Sequence, residues 1–343
     1  MKGRDTRSSL QHQKSFLQAL GYAMSQLTNS RPLMRRARAT HADTSVISGS
    51  RPQGRDYLWI TLFLLPFLLL YAGFTLWPLI ATFIYSLYDW NGSTPLTDYV
   101  GLQNYITIAR DPLFWRAFGN TILFALANTA IKLPLSLLVA ILLTQRWLWF
   151  KRVFRTVFFA PLVIPVAMAG LIFNFLLNPA NGALNDFLRD IGIITRAIDF
   201  LGDPNYALIT VILISVWQIF GQYMIYWIAA LQNVPEEMYE SAEIDGANEW
   251  QKLLLITLPI IRPVAVIILF LSFVNALKVF GLIVAMPAGQ GSTEVVSTFI
   301  YGQALAEPPF RYGYASAAAV LFGVTVLLAV TTQGFFVRKA QAA

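Results

Sequence analysis

Six runs of predominantly apolar residues, at roughly 58–88, 117–143, 153–177, 206–230, 264–287 and 313–336, dictate what this chain can fold into. A helix needs about 20 mostly apolar residues to cross the hydrocarbon core of a bilayer, and each run is of that order. No water reaches backbone amides there, so each run must be a helix that satisfies its own N–H and C=O groups. The stretches between the runs are too short to hold a soluble domain. The expected fold is therefore all-α: a polytopic membrane protein with six transmembrane helices over residues 58–338, a polar tail at 1–57 and a short tail at 339–343. Composition agrees, because only 13% of residues are charged, about half the share in a soluble domain. Two runs carry interruptions. Pro66 and Pro78 predict kinks in the first, or an end near Trp77, and Asn275 and Lys278 interrupt the fifth.

Charge sets the orientation. Counting Lys and Arg on alternate sides of the six runs puts seventeen on the side of both termini and five on the other. Basic residues accumulate on the cytoplasmic side, so both termini and the 231–263 loop are expected in the cytoplasm. Ten of the seventeen lie in residues 1–57. A basic tail can mean nucleic acid or anionic lipid, but beside a hydrophobic body it reads as a cytoplasmic flank, with no nucleic-acid partner. Within it Phe16, Leu17, Leu20, Met24 and Leu27 share one helical face. A helix near 11–27 can lie on membrane lipids or dock on the cytoplasmic face of the protein.

Several chemistries are excluded. The chain has no Cys, and both His residues, His12 and His41, fall in the polar tail. Thiol catalysis, thiolate metal sites and imidazole-based sites in the membrane body are thereby removed. No G-x-x-x-x-G-K-[ST] phosphate loop occurs, so the chain does not hydrolyse ATP by itself.

The stretch from Asn233 to Pro263 is the most informative segment. Asn233 can cap a helix whose first turn holds Pro235, Glu236 and Glu237. Asp245-Gly246 stops it, since Gly takes the left-handed conformation that a helix end requires. A second helix follows from about Asn248 to Thr257, and Pro259 and Pro263 are expected to break the chain before the fifth span. Met238, Ser241, Ala242 and Asp245 share one side of the first helix. Glu236, Glu237, Glu240, Glu243, Asp245 and Glu249 face only Lys252 and Arg262 in sequence. Anionic lipid repels such a surface, whereas a protein partner with complementary positive charge suits it. By spacing alone the element could equally pack on its own bundle.

Glu240-Ser241-Ala242, then Gly246, then Ile256 and Leu258-Pro259 resemble the EAA loop of binding-protein-dependent ABC importer permeases. Every spacing of that pattern is kept, and Ser241 stands where a second Ala is usual. Gly101-Leu102-Gln103-Asn104-Tyr105 with Phe114-Trp115 and Asn120-Thr121, Phe154-Arg155-Thr156 with Pro161 and Pro165, Asn178-Pro179 with Gly182, and Gly291-Ser292-Thr293 are similar to the sugar-permease (maltose-type inner-membrane subunit) branch. The resemblance covers roughly 58–338. It implies a non-enzymatic transport subunit in a bacterial or archaeal cytoplasmic membrane, moving a carbohydrate. Its implied partners are a second permease subunit, usually a paralogue, two cytoplasmic ATPase subunits and an external solute-binding protein. No cofactor is implied on this chain, and ATP with Mg belongs to the partner ATPase. The roles implied at the ATPase-coupling loop fall on Glu240, Ser241, Ala242, Asp245, Gly246, Leu258 and Pro259.

Polar groups inside the spans need a reason, because each is costly in hydrocarbon. Gln218 and Gln222 lie one turn apart, Asn275 lies near Lys278, and Lys132 sits mid-span. One reading makes Gln218, Gln222, Asn275 and Lys278 a hydroxyl-binding lining, with Trp217 and Tyr223 stacking on sugar rings. The other is interhelical hydrogen bonding for the amides and snorkelling for the lysines. A secondary transporter needing no ATPase is the alternative function. It is expected to show internal repeats with broken helices in both halves, a pattern not seen in the sequence.

Overall fold

The structure, a computed structural model, describes residues 54–342 apart from 146, 287–290 and 307. The expected helix near 11–27 lies outside the described residues. The chain divides into two compact units, one ending at Phe74 and the other running from Thr75. The first is described from α1 (Gly54–Tyr71), which Pro66 does not end, into a π-helical turn at Ala72–Leu76.

The second unit opens with α2 (Trp77–Tyr85), where Pro78 occupies the first turn and its missing N–H is not needed. Next come α3 (Gln103–Ala109), α4 (Pro112–Thr144), α5 (Lys151–Val163), α6 (Val166–Leu176), α7 (Ala183–Asp190) and α8 (Pro204–Leu231). The chain then forms α9 (Glu236–Ile244), α10 (Glu249–Lys252), α11 (Leu258–Leu277), α12 (Gly281–Ala285), α13 (Val296–Tyr301) and α14 (Tyr312–Ala342). Helix α14 continues past the end expected at 338. Among the described residues five helices are long and apolar enough to cross a membrane, and a sixth crossing exists if one bent pair counts as a single span.

That pair is α5 and α6, bent by 94°, where the sequence predicts one continuous run. Ile164 is extended (φ −71°, ψ 122°) and Pro165 follows at φ −55°, ψ 138°. Proline pushes the residue before it out of the helical region and offers no N–H. A broken backbone in hydrocarbon must find new partners, and Gln218 Nε2 donates to the Ile164 carbonyl at 3.0 Å. Packing holds the break in place. A Cβ on Gly221 of α8 would lie 2.1 Å from the Phe158 carbonyl oxygen, so only glycine lets α5 approach this closely. Phe158 and Phe220 meet edge to face beside it at 5.7 Å.

The fifth span also departs from expectation. It begins upstream of 264, as helix continues from Glu249 to Leu277, and Pro259 and Pro263 do not break it. A π-helical turn at Leu253–Thr257 absorbs the irregularity: Leu258 N–H bonds five residues back to the Leu253 carbonyl. Pro259 falls in the first turn of α11. The helix stops at Leu277 because Lys278 and Phe280 leave helical geometry, and α12 is a separate short turn.

Two buried apolar clusters fill the second unit. One gathers Phe124, Val211, Ile214, Leu282, Phe299 and Phe322; the other gathers Leu133, Leu143, Met224, Trp227, Ile261 and Ile268. Several motif residues prove to be structural ties. Asn120 Nδ2 donates to the carbonyls of Ser292 and Glu294 at 2.8 and 2.9 Å, and Thr121 Oγ1 accepts from Val296 N–H at 2.9 Å. Asn104 Nδ2 likewise donates to the carbonyls of Ser86 and Tyr88.

Candidate functional site

The loop between α8 and α11 is built by its caps. Asn233, read from sequence as the cap of α9, does not cap it; its Nδ2 turns back to the Ala229 carbonyl of α8 at 3.2 Å, and Pro235 takes the cap position instead. At the other end Gly246 has φ +77°. Gly246 N–H bonds the Glu243 carbonyl at 3.1 Å and Ala247 N–H bonds the Ala242 carbonyl at 2.9 Å. This pair of bonds is the Schellman stop, which satisfies carbonyls that a helix end leaves open. Asn248 then caps α10 in a reciprocal box with Gln251, at 2.9 and 2.8 Å.

Helix α9 has no buried residue. Glu240, Ser241, Asp245 and Gly246 are exposed and Ala242 is half-buried. Met238 and Ile244 are exposed apolar side chains beside them, Ile244 at 87%. Ser241 Oγ is turned onto its own helix, donating to the Glu237 carbonyl at 2.8 Å. The loop is anchored through the opposite face and the turn that follows. Tyr239 and Thr257 share a hydroxyl hydrogen bond of 2.8 Å, and Leu258 packs on the second apolar cluster, while Pro259 is exposed. Lys252, almost wholly buried, pairs with Glu243 at 3.0 Å and Glu249 at 2.5 Å. Part of the acidic surface read from sequence is thus neutralised internally. Glu240 lines a cavity of about 500 Å³ that also takes in Lys151 and Arg155 from the opening turns of α5.

A second cavity of about 260 Å³ lies where α4, α8 and α11 meet α12. Of the polar span residues singled out by sequence, Gln218, Gln222, Tyr223 and Asn275 line it, as do Asn128, Lys132 and Ser215. Trp217 and Lys278 do not. Trp217 points away by one helical step from Gln218 and meets the Phe173 ring edge to face at 5.1 Å. Lys278 is exposed where α11 has already ended. The lining is hydrogen-bonded: Lys132 Nζ donates to Asn128 Oδ1 at 2.8 Å, and Asn128 Nδ2 donates to Ser215 Oγ at 3.1 Å. Gln222 Nε2 donates to Tyr226 OH at 2.7 Å, and Asn275 Nδ2 reaches Tyr223 OH at 3.4 Å. Sequence reasoning left Asn128 and Ser215 unmarked. Their signal was small polar residues on the faces of α4 and α8 that turn toward each other.

A six-run helical body, one span broken at a proline, and an exposed helix closed by a glycine stop define a class of membrane transport subunit. The chain belongs to the family of binding-protein-dependent transport system inner membrane components, whose pattern matches residues 132–341. Among its relatives is the probable ABC transporter permease protein YurN of Bacillus subtilis strain 168, 34% identical over 283 residues, covering 80% of this chain and 94% of that one. The lactose transport system permease protein LacF of Rhizobium radiobacter is 31% identical over 274 residues, covering 78% and 90%. A chain in the crystal structure of a bacterial ABC transporter that imports the acidic polysaccharide alginate matches with a TM-score of 0.73 at 26% identity, covering 83% of this chain and 96% of that one. These relatives are permease components of transporters, not enzymes, and in this family the ATPase is a separate chain.

Proposed function

We propose that this chain is the permease subunit of an ATP-driven carbohydrate importer in the cytoplasmic membrane, with both termini in the cytoplasm. It pairs with a second, paralogous permease, receives solute from an external binding protein, and couples to a cytoplasmic ATPase through the loop at 231–263. ATP with Mg binds the ATPase, not this chain. The carbohydrate assignment draws on relatives named for lactose and arabinooligosaccharides and on the alginate importer. The alginate transporter has also been solved with a periplasmic protein bound to an alginate pentasaccharide, which supports the external partner.

The observation that carries the coupling role is α9 itself. A nine-residue helix with no buried residue, it bears Met238 and Ile244, which the described residues leave exposed. It is nevertheless fixed at both ends, by Pro235 and by the Schellman turn at Gly246. A rigid exposed helix costs little to order when it enters a cleft on a partner. Met238, Ser241, Ala242 and Asp245 form the inserting face, and Glu240 and Gly246 orient it.

The chain has no cysteine, so a single Cys at Ser241 tests this cleanly. In membranes containing the whole importer, a short crosslinker with one thiol-reactive and one amine-reactive arm is expected to join Ser241→Cys to a lysine of the ATPase subunit, and Tyr206→Cys at the far end of α8 is expected to give no such adduct. An importer that hydrolyses ATP but gives no adduct at Ser241, Met238 or Ile244 would overturn the coupling assignment.

A further inference from the structure

The small cavity holds one cation and no anion. Its lining contains Lys132 but no carboxylate, and Lys132 joins none of the ion pairs found among the described residues. The side chain is only 2% exposed. Snorkelling does not explain it, since Lys132 lies twelve residues from the end of α4 at Thr144, about 18 Å along the axis. An ammonium group has three donors. One goes to the neutral Asn128 Oδ1, and the Tyr223 ring face, with its centroid 4.3 Å from Nζ, supports the charge from another direction. Both groups hold the ammonium in position without neutralising it. An ionisable group kept at this depth is costly, which points to a ligand rather than to packing.

We infer that the cavity accepts a negatively charged sugar, with Lys132 as the residue that selects for the charge. This rests on the carbohydrate-permease reading and narrows it. The ammonium pairs with the carboxylate of a uronate or the phosphate of a sugar phosphate, and Gln222 and Asn275 meet ring hydroxyls. A volume of about 260 Å³ is below the ~300–1,000 Å³ of pockets for drug-sized ligands. The cavity therefore engages one charged sugar unit at a time, even where the solute is a longer chain. Asn128 and Ser215 are positioning residues, because they fix Nζ through Asn128 Oδ1.

The test is competition binding to the purified importer, with its partner permease and ATPase in nanodiscs and the external binding protein left out. The probes are matched sets of gluco, galacto and manno sugars as neutral hexose, hexuronate and hexose 6-phosphate, with their disaccharides. Acids are expected to bind about ten- to a hundredfold more tightly than their neutral counterparts, the range for one hydrogen bond to a charged group. Lys132→Gln is expected to reduce that preference to under about threefold, and Lys132→Arg, which keeps the charge, to retain most of it. The uronate and phosphate arms decide which anion is preferred. Neutral sugars binding as well as acids, or a preference that survives Lys132→Gln, would overturn the inference and leave the carbohydrate permease standing. The wild-type comparison alone decides the matter should a variant not assemble. Binding of no sugar in any arm would overturn both.

Discussion

Gly246 offers a sharp perturbation because its strain can be separated from its packing. No atom lies within 4 Å of where a Cβ would stand, and the residue has φ +77°. A side chain there meets no clash, so its cost is that of the left-handed conformation alone, about 1–2 kcal/mol for an ordinary L-residue and more for a β-branched one. That is a ~5–30-fold drop in the population of the formed turn. Asn tolerates this region, so the expected order of ATP-driven uptake is Gly246, then Gly246→Asn, Gly246→Ala and Gly246→Val, with Val down by at least about tenfold. Since α9 has no buried residue, thermal stability in detergent should stay unchanged across the series. The assay is solute accumulation in proteoliposomes alongside ATP hydrolysis in the same preparation. Equal uptake by the Asn and Val variants, or wild-type uptake by Val, would refute the link between this turn and coupling.

Three further outcomes follow from other residues. Gly221→Ala drives a methyl group into the Phe158 carbonyl and should cost about 1–3 kcal/mol, read as a lowered melting temperature of the purified complex. Glu240→Lys reverses one of the four carboxylates that share a cavity with Lys151, Arg155 and Lys252; uptake should fall several-fold, with partial recovery on adding Arg155→Glu, and an unchanged rate would remove Glu240 from coupling. For topology, Ser93→Cys should react with an impermeant thiol reagent from outside intact cells and Glu237→Cys should not. Both positions are exposed, and labelling in the opposite sense would invert the orientation.

Much of this was legible in sequence because a bilayer leaves so few options. Six apolar runs correspond to five helices long enough to cross a membrane and one bent pair among the described residues, and Gly246 after Asp245 marks a left-handed helix stop that the structure forms with both of its hydrogen bonds. Proline effects were the least readable. Pro165 breaks a span while Pro161, four residues earlier, sits inside a helix. The difference is tertiary: Gln218 is there to donate a hydrogen bond to the freed Ile164 carbonyl, and Gly221 makes room for the bend. Pro259 and Pro263 were expected to interrupt the fifth span, but a π-helical turn carries the helix into them. In the cavity, helical spacing placed Gln218, Gln222 and Tyr223 together on α8. It could not show that α11 stops before Lys278, or that Trp217 turns to Phe173. Lys132 stood out as a charge in a span, but that no carboxylate among the described residues pairs with it is a fact about three helices at once.

The central claim is that this chain moves carbohydrate with energy supplied by a separate ATPase. The most direct measurement is uptake of labelled sugars into proteoliposomes holding the complete importer, with its external binding protein present, with and without internal ATP. The account predicts accumulation that requires ATP and the ATPase subunit and falls at least about tenfold with Gly246→Val. Sugar accumulation that persists without the ATPase, driven by an ion gradient across the same vesicles, would contradict it and make the chain a secondary transporter.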